Sequence, residues 1–332
     1  MEIDYRYLGR TGVRVSPLCL GTMNFGYRTD EATAREMIQQ AIMEGINFID
    51  TANFYGQPAR GGRGQGITEE IVGKAIHDVR ERIVLATKFF LPMDLEDPNA
   101  RGGSRRHIIQ QCEASLRRLQ TDYIDIYQMH RPDPNVPVDE TLRALDDLIR
   151  AGKVRYIGTS QFPAWEIVES IWIAKEHHLN RFVTEQPRYN ILHRQIENEL
   201  RPMAQQYGLG LLAYAPLQGG LLSGQYRRNK PIPKGSRLKD DVWQDWATSF
   251  LSDSVYDVLD VLEQLAAEKS ATVSQVAVAW VIAQKGITST IIGPRTPAHL
   301  RDNLDALKMT LTQEDCERID SVAPPGKNIA DR

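Results

Sequence analysis

Ile46-Asn47-Phe48-Ile49-Asp50-Thr51-Ala52-Asn53-Phe54-Tyr55 is the stretch whose reading decides the fold. Its first half is an apolar run ending in a carboxylate, the pattern of a strand buried on both faces. Its second half is a short loop ending in a phenol. An acid delivered at the tip of a buried strand is costly unless a cation neutralises it. The rest of the chain should therefore supply neighbouring strands and, at one of their tips, a partner for Asp50.

Outward from this stretch the pattern repeats. Tyr5 to Ser16 alternates around Gly9-Arg10-Thr11-Gly12, which signals a hairpin. From residue 18 onward, strands are expected at 18–21, 46–50, 83–88, 123–128, 154–158, 182–185, 210–214 and 287–292. Asp30 caps a helix with Met37, Ile38, Ala41 and Ile42 on one face. Further helices are expected at 68–76, 104–119, 138–150, 164–177, 194–207, 253–268, 272–285, 297–307 and 313–321. Thr272 opens a capping box with Gln275, and Thr312 caps the last helix. Residues 217–252, rich in Gly, Pro, Lys and Asp, read as a long loop over one face.

Eight strand–helix pairs behind a hairpin make the fold an α/β (β/α)8 TIM barrel. It has an N-terminal β-hairpin, a long loop after strand 7 and extra C-terminal helices. The whole of 1–332 reads as one domain. A doubly wound sheet would place a GxGxxG turn after the first strand, and Gly21-Thr22-Met23-Asn24-Phe25-Gly26 does not supply one.

The composition, 42% hydrophobic and 25% charged, is that of a globular protein. A net charge of -3 with a pI near 6.2 argues against nucleic-acid or anionic-membrane partners. Cys19, Cys112 and Cys316 lie far apart without a CxxC, so neither a disulfide framework nor a metal site is expected, and a reducing cytoplasm is. No signal peptide or membrane-spanning run is expected either.

A barrel of this kind builds its active site from residues at the C-terminal ends of its strands. Those ends carry Asp50, Lys88 and His130, with Tyr55 just beyond the second strand. Singly, each has an ordinary explanation: a turn former, a solvated charge, a loop histidine. Together they suit one chemistry. A tyrosine with a pKa of about 10 is a poor proton donor at neutral pH, and a nearby ammonium should lower that value. Asp50 would hold the ammonium, and His130 would orient a carbonyl oxygen. With no nucleophilic Ser or Cys and no metal cluster beside the set, the attacking species should be a cofactor's hydride. Two other readings stay open: a hydrolase pairing Asp50 with Glu185, and a YxxxK spacing, Tyr226 to Lys230, in a basic loop without GxGxxG.

Gly45 to Gly56, Thr87-Lys88, Ser115 to Leu119, Asp122 to Asp125, His130, Gly158-Thr159-Ser160, Gln186 to Asn190, Ala213 to Leu217 and Gly293 to Asn303 resemble the aldo-keto reductases over nearly the full length. The nearest branch is that of bacterial aryl-alcohol dehydrogenases and potassium-channel β subunits. The resemblance implies NADPH-dependent, reversible reduction of aldehydes and ketones, with Tyr55 as general acid, Lys88 and Asp50 tuning it and His130 orienting the carbonyl. The alternative it admits is an NADPH-binding regulatory subunit with slow residual chemistry.

For the cofactor the resemblance implies Gly21 and Thr22 beside Asp50, the carboxamide against Ser160, Gln161 and Gln186, and Tyr214 stacked on the nicotinamide. It puts Pro216, Leu217, Gly219 and Ser223 along the pyrophosphate with Arg237 as a clamp. Arg295 with His299 would meet the 2′-phosphate, Asp302 and Asn303 the adenine, and Gly293 belongs to the same cofactor-binding set. Two positions depart from the family pattern: Gln161 stands where Asn is usual, and Pro294 removes a backbone donor. For the substrate, Asn24, Phe25, Phe89, Phe90, Trp243 and Trp246 are the candidate lining, which favours apolar or aromatic carbonyl compounds. The expected partner is that small molecule, with assembly into a homo-oligomer compatible with the fold.

Overall fold

The hairpin forms where the alternation places it: β1 (Arg6–Tyr7) pairs antiparallel with β2 (Arg14–Val15). The computed structural model describes residues 3–56, 65–234, 236, 239 and 250–330. Eight parallel strands follow. They are β3 (Leu18–Gly21), β4 (Phe48–Asp50), β5 (Val84–Phe89), β6 (Ile124–Met129), β7 (Val154–Ser160), β8 (Thr184–Gln186), β9 (Gly210–Tyr214) and β10 (Ile287–Ile292). They close into a barrel in chain order, with β10 pairing both β9 and β3.

The helices are α1 (Glu31–Met43), α2 (Ile67–Ile76), α3 (Arg105–Leu119), α4 (Val138–Arg150), α5 (Ala164–Glu176), α6 (Leu200–Tyr207), α7 (Asp253–Glu268), α8 (Val273–Ala283), α9 (Pro297–Asp305) and α10 (Gln313–Val322). Asp30 caps α1, and full capping boxes open α8 at Thr272 and α10 at Thr312, as the spacing suggested. Two boundaries differ from the sequence pattern. The helix expected over 194–207 is a short turn at Gln195–Glu197 followed by α6. Pro202 explains the break, because proline is tolerated in a first turn but not in a helix interior. The sixth barrel strand runs over Thr184–Gln186 and so reaches Gln186, one residue beyond the expected end.

Side chains alternate across each strand and sort into two layers. Cys19, Phe48, Ala86, Ile126, Leu212 and Ile291 pack inside the barrel with Leu8 and Val15 of the hairpin segment. The hairpin thus plugs the N-terminal end, and Arg6 donates to the Ile287 carbonyl at 2.9 Å. Leu18, Leu20, Ile49, Leu85, Tyr127, Ile157 and Leu211 face outward into the core shared with the helices. Each fully buried Leu, Ile or Phe of this kind stabilises by roughly 1.5–3 kcal/mol. Above the apolar interior layer, the next inward positions are polar, which makes the C-terminal mouth the chemically active end. Among the described residues no helix is long and apolar enough to cross a membrane, and no group of His, Cys, Asp and Glu could hold a metal.

Candidate active site

Asp50 ends β4 with only 2% of its surface exposed, and Lys88, wholly buried, faces it from β5. The Lys88 ammonium donates to Asp50 Oδ2 at 2.5 Å, to the Thr51 carbonyl at 3.0 Å and to the Tyr55 hydroxyl at 3.2 Å. Its three N–H donors are thereby all used. The other Asp50 oxygen accepts from Gln128 at 3.1 Å and from Gln186 at 2.9 Å. A buried charge needs this many partners to be held without large cost. Gln128 had not been singled out from the sequence. Its signal was the inward parity of β6, in which Ile126 lies inside the barrel and Gln128 is two residues on.

The loop after β4 is what returns Tyr55 to the strand tips. Thr51 N–H donates to the Ala86 carbonyl at 2.9 Å and Asn53 N–H to the Lys88 carbonyl at 3.1 Å, so the chain continues along β5 instead of leaving it. Asn53 is buried and its amide donates to Gln111 of α3 at 3.1 Å. Tyr55 N–H then turns back to the Ala52 carbonyl at 3.1 Å. The phenol ring ends half-buried, with the Lys88 nitrogen 5.0 Å from its centroid.

His130 follows β6 and meets Tyr55 edge to face, the ring centroids 5.9 Å apart. Burial, then the positive charges of Lys88 and Arg131, hold its pKa well below the ordinary value, so it is neutral at pH 7. A neutral imidazole keeps one N–H to donate. Tyr55 is a partial correction to the sequence argument. Lys88 does pull the phenol toward ionisation, but burial outweighs it and the pKa is raised from the ordinary value. Lys88 is itself raised, because Asp50 and Tyr55 more than offset the effect of burial. The set therefore stands as protonated phenol, protonated amine and neutral imidazole.

Around this centre the rim carries an unusual run of left-handed backbone. Phe90, Gln161, Ala215 and Gln218 have positive φ without being glycine, and Gly219 and Gly220 follow at φ 64° and 102°. Such conformations cost energy and cluster where a ligand must approach backbone closely. Asn190 secures the Ala215–Gly220 turn, donating to the Ala215 carbonyl at 2.9 Å and to Gln218 at 3.0 Å. Tyr214 ends β9 half-exposed beside Pro216 and Leu217, and Ser223 closes the turn by donating to the Gly220 carbonyl at 2.6 Å.

Ser160, Gln161 and Gln186 come together. The Ser160 hydroxyl and the Gln161 N–H both donate to the Gln186 carbonyl, at 2.9 and 3.3 Å. Gly21 and Thr22 lie over Asp50, whose carbonyl accepts from both the N–H and the hydroxyl of Thr22 at 3.0 Å. Gly293 and Arg295 lead into α9, whose N-terminus is capped by Thr296 with Pro297 in its first turn. An arginine before a helix N-terminus suits a phosphate. His299 is exposed there, its pKa lowered by partial burial and by Arg295. Asn303 is buried. Asp302 is already engaged, its Oδ1 accepting from Thr272 at 2.8 Å and Gln275 at 3.0 Å. Arg237 lies outside the described residues. The partly exposed Tyr214 ring, the backbone nest after it and the cationic start of α9 have the chemistry to fit an extended dinucleotide.

A model of the aldo/keto reductase family matches residues 17–324. The chain belongs to the aldo/keto reductase family. It is 40% identical to the uncharacterized oxidoreductase YrpG of Bacillus subtilis, over 98% of this chain and 97% of that protein. It is also 37% identical to a putative voltage-gated potassium channel subunit beta of Schizosaccharomyces pombe, over 97% and 93% of the two chains. A probable subunit of the same kind from Oryza sativa is 35% identical over 96% of each. The chain is therefore an oxidoreductase of a family that works with NAD(P)H on small carbonyl compounds.

As an aldo/keto reductase, the chain departs from the expected substrate lining. Phe25 and Phe89 are wholly buried in the outer core, Phe89 against Tyr127 at 4.7 Å between ring centroids, and neither presents surface to a ligand. The reason is parity: Ala86 and Lys88 face inward on β5, so Phe89 faces outward. Asn24 is nearly buried and donates to the Gly293 carbonyl at 2.9 Å, which makes it a tie between two rim loops. Phe90 is half-buried at φ 128°. Trp243 and Trp246 lie outside the described residues. Glu185 points away from the axis, accepting from the Phe162 N–H at 3.3 Å, and so cannot pair with Asp50 as a hydrolase would require. The YxxxK match fails too, since Tyr226 is buried and Lys230 exposed.

Proposed function

We propose that this aldo/keto reductase uses NADPH to reduce aldehydes and ketones to alcohols, reversibly, with Tyr55 as the general acid. The observation that carries the reading is the Lys88 ammonium, held 2.5 Å from Asp50 and 3.2 Å from the Tyr55 hydroxyl. When bound, NADPH supplies a hydride to the carbonyl carbon. The phenol of Tyr55 gives its proton to the carbonyl oxygen, and the phenolate left behind is stabilised by Lys88, which Asp50 keeps in place. Neutral His130 donates a hydrogen bond that fixes the direction of the carbonyl.

Ser160, Gln161 and Gln186 would hold the carboxamide and Tyr214 the ring. The Pro216–Ser223 turn would hold the pyrophosphate, Arg295 with His299 the 2′-phosphate, and Asn303 the adenine. The same reading treats residues 1–332 as one cytoplasmic domain whose partner is a small molecule, compatible with assembly into homo-oligomers.

The test is NADPH oxidation against a panel of aldehydes, ketones and quinones. Turnover of an aldehyde at an ordinary rate supports the reading, and none across the panel sinks it. Arg295→Ala should weaken NADPH about tenfold, the scale of one lost charge-assisted contact, and leave NADH nearly unchanged; equal losses would remove Arg295 from the phosphate site. A regulatory subunit is the second reading, favoured by the channel-subunit relatives. NADPH binding with only slow turnover would select it.

A further inference from the structure

We infer that Arg118 is a positioning residue for Tyr55, acting through Gly66 and through the Glu69 carboxylate that it shares with Thr87. This deepens the reductase reading and rests on it.

Gly66 lies against Tyr55, its N–H donating to the Tyr55 carbonyl at 3.2 Å. Gly66 is also the residue before α2, has a φ of 90° and, being glycine, offers no side chain to cap that helix. The side chain of Arg118, from α3, lies directly against it: a Cβ on Gly66 would sit 2.6 Å from Arg118 Nε and overlap the carbon beside it. Glycine is required here for both reasons, positive φ and contact with a guanidinium stem. Arg118 therefore forms the seat on which Gly66, the hydrogen-bond donor to the Tyr55 carbonyl, rests.

That seat is fixed in turn. Arg118 Nε donates to Glu69 Oε2 at 2.7 Å and its terminal nitrogen to Ser115 at 3.3 Å. The other Glu69 oxygen accepts from the Thr87 hydroxyl at 2.5 Å. Glu69 has no exposed surface, and both its oxygens are used. It sits in the first turn of α2, where the helix dipole favours an anion. Thr87 immediately precedes Lys88 on β5. One carboxylate therefore joins the strand that carries Lys88 to the guanidinium that supports the backbone of Tyr55. The same turn is pinned from a third side, Thr68 donating to the Phe25 carbonyl at 2.7 Å. The separation of Tyr55 and Lys88 is set from the outer layer of the barrel, by residues that touch neither substrate nor cofactor.

The experiment uses the full chain with Arg118→Met, Arg118→Lys, Gly66→Ala and Thr87→Val. NADPH affinity is read by quenching of intrinsic fluorescence, and kcat and KM with NADPH and benzaldehyde. Placement of Tyr55 is read from the pH titration of its ring resonance by NMR, assigned by its loss in Tyr55→Phe. Arg118→Met should lower kcat by about ten- to a hundredfold, the scale expected when a catalytic group is misplaced by a fraction of an ångström to one ångström. KM and NADPH affinity should hold, and the Tyr55 titration should shift. Arg118→Lys should recover part of the loss, and Gly66→Ala and Thr87→Val should lower kcat in the same sense. Should Arg118→Met fail to fold, those three carry the test. Folded variants with wild-type kcat and an unmoved Tyr55 titration overturn the proposal, as do losses that fall equally on NADPH affinity. A wild-type protein that reduces no carbonyl compound sinks the reductase reading instead, and the NMR arm still reports on Tyr55 without turnover.

Discussion

On the inner face of β5, Lys88 meets Asp50 at 2.5 Å; on the outer face, the preceding residue, Thr87, meets Glu69, whose second oxygen holds Arg118 at 2.7 Å. Both carboxylates are buried and both have a cation, yet the two pairs are built differently. The outer pair is closed on itself, with every strong acceptor matched by a donor from a neighbouring element. The inner pair is not closed: one of the three Lys88 N–H groups reaches past the carboxylate to a half-buried phenol at the open end of the barrel. Burial of an ion pair is thus a poor mark of a site, since structural networks bury charge as well. The better mark is a pair whose cation reaches a third, partly exposed titratable group. Glu185 supplies the contrast: buried with no cation partner among the described residues, it has its pKa pushed up to about 8.

The largest expected effect breaks the inner side alone. Tyr55→Phe should lower kcat by about 10²–10⁴-fold, the range for losing a general acid, and leave NADPH quenching of fluorescence nearly intact. A mutant with near-normal kcat would remove Tyr55 from its role. Next come the two halves of the comparison. Lys88→Met and Glu69→Gln each leave a charge without its partner, at a cost of about 3–5 kcal/mol where the partner is fully buried, less for Arg118 because it is partly exposed. Thermal unfolding should show both losses. Lys88→Met should change the shape of the pH–rate profile outright, Glu69→Gln should shift it only in the smaller sense expected of Arg118→Met, and an equal change in both would erase the distinction between the two pairs.

The last effect is one of pH alone and concerns Glu185, a buried carboxyl with no cation partner among the described residues. Glu185 has its value raised from 4.5 to about 8, so the folded state holds its proton more tightly than the unfolded chain. The stability it contributes is complete below the unfolded value and is lost as pH rises toward the folded one, with a slope approaching 1.4 kcal/mol per pH unit. Glu185→Gln should therefore melt progressively higher than the wild type as pH is raised from 5 to 8. Parallel Tm curves for the two proteins would contradict the assignment.

Much of this was legible in the chain. The eight strands show as short apolar runs alternating with helical patterns, and the polar residues at their ends, Asp50, Lys88 and His130, could be read directly as a mouth. Tyr55 could be associated with them because its loop is only a few residues long. Other features depend on geometry that spacing does not encode. Glu69 and Arg118 look like surface charges on amphipathic helices and become a buried pair only when α2 and α3 pack against β5. Gln128 and Phe89 follow from strand parity, which places the first inside the mouth and the second in the core. The sign of the Tyr55 shift could not be read at all, because it is a balance between burial and a nearby charge. Arg237, Trp243 and Trp246 lie outside the described residues.

The closure of the barrel has a consequence for how the protein comes into being. β3 pairs with β10, Leu18 opposite Thr290. The same seam is fastened at the rim, where Asn24 donates to the Gly293 carbonyl at 2.9 Å and Thr29 to the Arg295 carbonyl at 3.0 Å. Parallel neighbours so distant along the chain form late, since their loop must close before any contact repays it. A nascent chain that has emerged only as far as Gln284 already contains Asp50, Tyr55, Lys88 and His130, but its first strand still has an open edge. The acid–base centre is encoded between Asp50 and His130, and the wall that encloses it waits for β10, far downstream of both.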